Sequence, residues 1–297
     1  MLRKKSPETV GTGHGGMVFG LGIGPCENAL CREKEAILDA FFGTFARAAQ
    51  FLLLLDYDGT LAPFRVDRYR ARPYPGVAKL LKCIQEQGRT RMVVVTGRPA
   101  GEVPPLLGLV PAPEVWGLHG VERLHADGRR EFDVPSPQTR ARLEAVSAKL
   151  RRDAFGGLLE EKPNAVVMHW RGVPKEKALL VEKQARALFE PLAQLDGLGL
   201  LEFEAGLELR AGRGKGDAVN AILGEMDGRR PAPAAYLGDD LTDEAAFRAI
   251  KGRGLGVLVR RELRETCADV WLRPPQEVRN FLKRWLQATG AAALDES

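Results

Sequence analysis

Long apolar runs are missing from this chain of 297 residues. The most apolar stretch, Phe51 to Leu55, runs straight into Asp56 and Asp58, far short of the ~18 residues a bilayer span requires. Membrane partners are therefore not expected. Cysteine is scarce: Cys26, Cys31, Cys83 and Cys267 form no CxxC pair and show no disulfide spacing, which points to a reducing, cytoplasmic setting with buried or inert thiols. Histidine is scarcer in effect, because His14, His125 and His169 have no spacing that would make a metal set. Aromatic residues make up 7% of the chain, and its formal charge of +5 is spread without a basic block. No aromatic platform or basic helix supports nucleic-acid binding; a solvated surface with a site for an anionic small molecule fits better. Lys4 and Lys5 resemble the start of a secretion signal, but Gly11, Gly13, Gly15 and Gly16 interrupt the segment after them before any apolar stretch can build up. Residues 1–45 are thus expected to be a tail and a lead-in helix, Glu33 to Gln50 carrying the helical spacing.

The positive signal is an alternation. Phe51–Leu55, Met92–Val95, Val115–Leu118, Ala234–Leu237 and Leu255–Val259 read as buried strands. Val77–Gln87, Asp243–Ile250 and Val278–Gln287 read as helices. This predicts an α/β fold, a Rossmann-like parallel sheet with helices on both faces. The middle differs. A hairpin over Val121–Phe132 turns at Ala126-Asp127-Gly128, followed by helices at Thr139–Arg152 and Lys175–Phe189. Strands are expected at Gly157–Glu160, Ala165–Trp170, Leu198–Phe203 and Leu207–Arg210. That texture predicts an α+β cap inserted in the core, with core segments 46–120 and 209–297 around a cap of 121–208.

The strongest chemical signal is Asp56-Tyr57-Asp58-Gly59-Thr60 directly after the first buried strand. Sites in open α/β sheets form at the carboxyl ends of strands. Two carboxylates two positions apart can divide nucleophilic attack and proton transfer, or they can simply cap the next segment. Thr96-Gly97-Arg98 follows the next strand and offers a hydroxyl and backbone N–H groups suited to phosphate oxygens. Lys215 stands among Gly212, Gly214 and Gly216, just before a helix expected over Ala218–Met226. Asp239, Asp240, Asp243 and Glu244 follow a further strand. Four crowded acids repel unless a cation is present, about 4 kcal/mol per pair at 4 Å and an effective dielectric near 20. A hard, oxygen-loving cation such as Mg²⁺ answers that need.

In this order the segments resemble the haloacid dehalogenase superfamily, and more closely its trehalose-6-phosphate phosphatases, from about Phe51 to Leu286. Gly117-Leu118-His119-Gly120-Val121-Glu122 is similar to the family's GxHGxE segment, and Glu160-Glu161-Lys162 to its ExK element. His169-Trp170-Arg171 stands where the family has HYR, with tryptophan replacing tyrosine. Glu208 matches an acid that precedes the lysine loop. Pro104 and Pro105 interrupt a helix that is longer in relatives.

The resemblance implies a haloacid dehalogenase core with an inserted cap and a Mg²⁺-dependent phosphatase acting on trehalose 6-phosphate. Asp56 would be the nucleophile and Asp58 the acid–base. Lys215 and Thr96 would neutralise phosphoryl oxygens, with Gly97 and Arg98 beside them. Asp56, the Asp58 carbonyl and Asp239 would hold the metal, supported by Asp240 or Asp243, and Asp243 could also orient Lys215. Glu160, Lys162, Arg171 and Glu208 would read sugar hydroxyls; their plain alternative is surface ion pairs. His119 is either a phosphate-side contact or a satisfied loop histidine. The competing functions are a capped phosphatase for another sugar phosphate, such as sucrose or glycosyl-glycerate phosphate, and a catalytically silent sugar-phosphate sensor. Oligomeric state is open, a monomer being compatible.

Overall fold

The computed structural model describes residues 25–65, 67–152, 156–162, 164–195, 197–203, 205–226 and 232–290. Residues 1–24, most of the expected tail, lie outside them. The first helix, α1 (Pro25–Gly43), leads to β1 (Phe51–Leu55), α2 (Val77–Glu86) and β2 (Thr90–Val95). Then come α3 (Val103–Leu107), β3 (Glu114–Gly117), β4 (Glu122–Leu124) and β5 (Arg130–Phe132). The middle comprises α4 (Pro137–Arg152), β6 (Leu159–Lys162), β7 (Ala165–His169), α5 (Lys175–Ala193), β8 (Leu198–Phe203) and β9 (Gly206–Ala211). The chain closes through α6 (Lys215–Gly224), β10 (Ala234–Gly238), α7 (Glu244–Ile250), β11 (Leu255–Val259), β12 (Val270–Leu272) and α8 (Gln276–Ala288).

The large sheet has the order β12-β11-β10-β1-β2-β3-β4-β5, parallel from β12 to β3. β1 is apolar at every position because it is buried on both faces. Leu53 and Leu55 face a cluster with α1, α2 and α8, whereas Leu52 and Leu54 face one with α6 and α7. The chain leaves β1 toward β2 on one side and returns at β10 on the other. The carboxyl end of β1 is therefore the switch point where an open α/β sheet forms a crevice. This is the expected haloacid dehalogenase-like core.

Two expectations change. The hairpin predicted as the start of the cap belongs to the large sheet: β4 pairs antiparallel with β3, with Glu122 opposite Gly117, and β5 extends it. A short turn after β3 returns the chain alongside it, so pairing with the nearest open edge outweighs joining the later strands. The lead-in helix is also part of the core. Leu38, Phe42 and Phe45 are buried, and Phe45 stacks on Phe51 with ring centroids 4.5 Å apart and meets Trp285 edge-on at 4.9 Å. β12, a short edge strand, was not anticipated.

The second sheet, β6-β7-β9-β8, is antiparallel throughout. Its two faces differ. Val166, Met168, Leu207, Leu209 and Leu198 pack against Leu143, Val146 and Leu150 of α4 and Val181, Ala185 and Phe189 of α5. The opposite face, helix-free, carries Glu160, Lys162, His169, Glu208 and Phe203, and it lines the same crevice as the strand ends. Among the described residues no helix is long and apolar enough to cross a membrane. Cys83 and Cys267 are free, half-buried thiols; the side chains of Cys26 and Cys31 lie outside the described set.

Candidate active site

Asp56, Thr96 and Asp239 each follow the last residue of a strand, and β10, β1 and β2 are neighbours. Neighbouring strands lie about 4.8 Å apart, so three segments distant in sequence deliver their polar groups to one point. Lys215 enters at the first turn of α6. It is 4% exposed, and its Nζ lies 2.9 Å from Asp56 Oδ1 and 2.7 Å from Asp243 Oδ1. Gly59 makes the crowding possible: at φ +81°, a Cβ there would fall 2.0 Å from Asp239 Oδ2.

Electrostatics divide the acids by role. Asp243 is fully buried and its oxygens are taken. Oδ1 accepts from Lys215 and from the Tyr236 hydroxyl at 2.5 Å, while Oδ2 accepts from the backbone N–H of Asp239 and of Asp240. Burial, together with Asp243 and Asp56, keeps the Tyr236 hydroxyl protonated well above its ordinary range, so it is a dependable donor. Asp239 is different. Its carboxyl takes a long contact of 3.5 Å from Thr60 Oγ1 and lies within hydrogen-bond reach of Asp56. Burial first, then Asp56 and Asp243, push its carboxyl up to about 10. Asp56 is likewise raised, to about 7, chiefly by burial, with Lys215 pulling the other way. Burial alone would lower the Lys215 ammonium, but Asp243 and Asp56 raise it, so it stays charged.

Oxygens of Asp56, Asp239 and Asp243 lie within 4.8 Å of one another and could hold a metal ion. Asp56 and Asp239 are held far from their ordinary ionisation by burial and by neighbouring negative charge. An all-oxygen set with that deficit suits a divalent cation of the Mg²⁺ type. Asp240 lines the crevice and caps the turn after it.

Asp58 is engaged elsewhere. Arg98, 6% exposed, grips it with two parallel bonds, Nε to Oδ2 at 2.6 Å and Nη2 to Oδ1 at 2.7 Å. Such a fork is the geometry of a charged carboxylate. An acid role for Asp58 therefore requires Arg98 to let go. The Thr96 turn is fixed from beneath: buried Glu122 accepts from the backbone N–H of Ala100 at 2.7 Å. His119 lies against the same turn, since a Cβ on Gly97 would sit 2.7 Å from its Nε2. Burial and the charges of Lys215, Arg210 and Lys162 drive its pKa well below the usual histidine value, so the ring is neutral. Its Nδ1 is buried without a hydrogen-bond partner among the described residues.

One cavity of about 440 Å³ joins this cluster to the smaller sheet, in the size range of small-ligand sites. It is lined by Asp56, Asp58, Thr96, Gly97, Arg98, His119, Lys215, Asp239 and Asp240 from below and by Lys162 and Glu208 from above. Lys162 Nζ and Glu208 Oε2 pair at 2.7 Å. Glu160 and Arg171 are not in the lining. Glu160 reaches it through His169, whose Nε2 lies 2.6 Å from Glu160 Oε2. Phe64, Arg65, Arg68, His169, Leu201, Phe203 and Thr242 also line the cavity. Apart from His169, noted only within the HYR-like element, none of them was among the expected site residues. For Leu201 and Phe203 a signal existed, their place two apart on one face of a strand; for Phe64, in an irregular loop, there was none.

The family model for trehalose-phosphatase matches residues 54–266, most of the chain. The protein belongs to the trehalose-phosphatase family. It is 28% identical over 273 residues to the Zea mays trehalose 6-phosphate phosphatase RA3, covering 83% of this chain and 72% of that one. It is 30% identical over 254 residues to a trehalose-phosphate phosphatase of Mycobacterium marinum, covering 81% of this chain and 62% of that one. A crystal structure of the Aspergillus fumigatus trehalose-6-phosphate phosphatase superposes with a TM-score of 0.68 over 84% of this chain and 96% of that one, at 24% identity; at that identity the match speaks for the fold. The protein is accordingly a haloacid dehalogenase-type phosphatase acting on a phosphorylated sugar, with a carboxylate cluster able to take a divalent metal.

Proposed function

We propose that this enzyme hydrolyses trehalose 6-phosphate to trehalose and phosphate through a phosphorylated Asp56. The observation that supports it most is the placement of Asp56: 4% exposed at the tip of β1, 2.9 Å from the Lys215 ammonium, in a cavity shared with the Lys162–Glu208 pair. A carboxylate held there is aimed at the crevice, and its buried partner partly offsets the burial that raises its pKa.

In the first step an Asp56 oxygen bonds to phosphorus as the ester P–O bond breaks, and Asp58, released by Arg98 and protonated from solvent beforehand, gives that proton to the departing sugar oxygen. In the second, water attacks the same phosphorus, Asp58 takes the water's proton, and the Asp56–phosphorus bond breaks. Lys215 and the Thr96 hydroxyl and turn offset the charge on the transferring group. Mg²⁺, held by Asp56 and Asp239 with the Asp58 carbonyl, would supply positive charge to the same oxygens. Asp243, with both oxygens engaged, orients Lys215 and the Asp239–Asp240 backbone. Gly97, Arg98 and His119 bound the phosphate end. Lys162 and Glu208 offer charge-assisted hydrogen bonds to sugar hydroxyls, and Glu160 acts through His169.

Phosphate release from trehalose 6-phosphate, with and without Mg²⁺ and beside glucose 6-phosphate and sucrose 6-phosphate, tests this reading. Preference for trehalose 6-phosphate that vanishes on chelation is expected. A preference for sucrose 6-phosphate would install the other capped-phosphatase reading, and no turnover of any ester would leave a silent sensor.

A further inference from the structure

The cavity-facing side of the smaller sheet is a grid that its registers define. His169, Gly206 and Phe203 stand side by side on β7, β9 and β8. Below them, on the same face, come Glu160, Val167, Glu208 and Leu201. Gly206 is the gap in the upper row. With no side chain between them, the rings of His169 and Phe203 meet over it, centroids 5.6 Å apart and planes at 61°. Two residues separated by an intervening strand, about 9.6 Å of backbone, touch only because that strand presents glycine. A Cβ on Gly206 would lie 2.1 Å from the Phe203 ring, so the ring is seated directly on the Gly206 backbone. His169 is held from its other side by Glu160 at 2.6 Å.

Phe203 and Leu201 thereby form an apolar strip, with the Lys162–Glu208 pair and the His169 imidazole on its flank, and all five line the cavity that ends at Asp56. An apolar strip bordered by hydrogen-bonding groups matches a pyranose ring, whose C–H face is apolar and whose rim carries hydroxyls. We propose that Phe203, seated on Gly206 and braced by His169, is the platform on which the sugar unit remote from the phosphate stacks, and so the residue that makes the enzyme prefer a disaccharide phosphate. The inference rests on the proposed sugar-phosphatase reading and names the residue that carries its selectivity. The platform is preorganised, because ring and glycine already occupy each other's space and little rotamer freedom is left to lose on binding.

Two substitutions approach the platform from opposite sides. Phe203→Ala removes the ring, and Gly206→Ala keeps the ring but evicts it from its seat. Each is expected to lower the ratio of kcat/KM for trehalose 6-phosphate to that for p-nitrophenyl phosphate by about five- to thirtyfold, one to two kcal/mol of aromatic contact, mainly through KM. Phe203→Trp is expected to recover most of the ratio, and saturation-transfer NMR should show trehalose protons contacting aromatic protons in the wild type and losing that contact in Phe203→Ala. Melting curves verify that the variants are folded. A ratio unchanged in both Phe203→Ala and Gly206→Ala overturns the proposal, as does a loss confined to kcat. If the wild type prefers another sugar phosphate, the trehalose reading fails, and the same ratio measured on that substrate still judges the platform.

Discussion

Replacing Lys215 by methionine removes a buried charge while keeping most of the side chain's length. The ammonium sits 2.9 Å from Asp56 and 2.7 Å from Asp243, at 4% exposure. Two unit charges 4 Å apart interact by about 4 kcal/mol at an effective dielectric near 20, and both pairs here are closer. That attraction is not the net stability, because burying the ammonium itself costs several kcal/mol. The measurable quantity is the cost of leaving Asp56 and Asp243 without their shared cation, about 3–5 kcal/mol. Some of the cost is relieved by protonation: with Lys215 gone, only a backbone hydrogen bond from Tyr57 opposes the burial that already raises Asp56 to about 7. The loss should therefore be larger near about pH 8 than near about pH 5.5, where Asp56 is neutral. Adding Asp243→Asn should restore at least ~1 kcal/mol, since the two sites touch and are not additive. Denaturant unfolding in chelator at the two pH values, for the single variants and the double, gives all of these. A Lys215→Met protein as stable as the wild type at the higher pH would refute the reasoning, and so would a deficit that does not change with pH.

The same cluster sets three more outcomes. Without a divalent ion, Asp239 is protonated at neutral pH because its carboxyl is raised to about 10. Adding MgCl₂ in weak buffer near about pH 8 should release close to one proton per chain, and a calorimetric or indicator measurement showing none would remove Asp239 from the ligand set. The folded, metal-free protein binds more protons than the unfolded chain between the ordinary aspartate range and about 10. Its melting temperature should fall as pH rises through that window, and Mg²⁺ should flatten the fall. Asp58→Asn should slow release of an alkyl sugar oxygen by roughly 10²–10⁴-fold while affecting an acidic phenol ester far less; equal losses on both would take the acid–base role from Asp58.

Much of the core could be read from sequence because local signals sufficed. The five apolar residues of β1, running into Asp56-Tyr57-Asp58-Gly59-Thr60, could only be a doubly buried strand ending in carboxylates. The strands before Thr96 and Asp239 had the same form. Where periodicity was equally satisfied by two partners, it failed. Nothing in Glu122–Leu124 and Arg130–Phe132 says whether the hairpin joins the cap or the edge of β3, and the pairing is decided by proximity. α1 read as a lead-in because its apolar stripe has no local partner; Trp285 and Phe281, some 240 residues later, supply it.

Residue types and order alone determined that this chain has an α/β core with phosphate chemistry at its strand ends, since burial on two faces and carboxylates at a turn are properties of a few consecutive residues. Only the tertiary structure decided how those groups are paired: Asp243 committed to Lys215 and Tyr236, Asp239 in long contact with Thr60, Asp58 in the grip of Arg98, and Phe203 lying on Gly206. Each of these is a contact across strands or between segments apart in the chain, made at distances of a few ångströms that no spacing along the chain encodes. Ionisation, reach and steric fit depend on those distances, and so they appear only once the sheets have closed around the crevice.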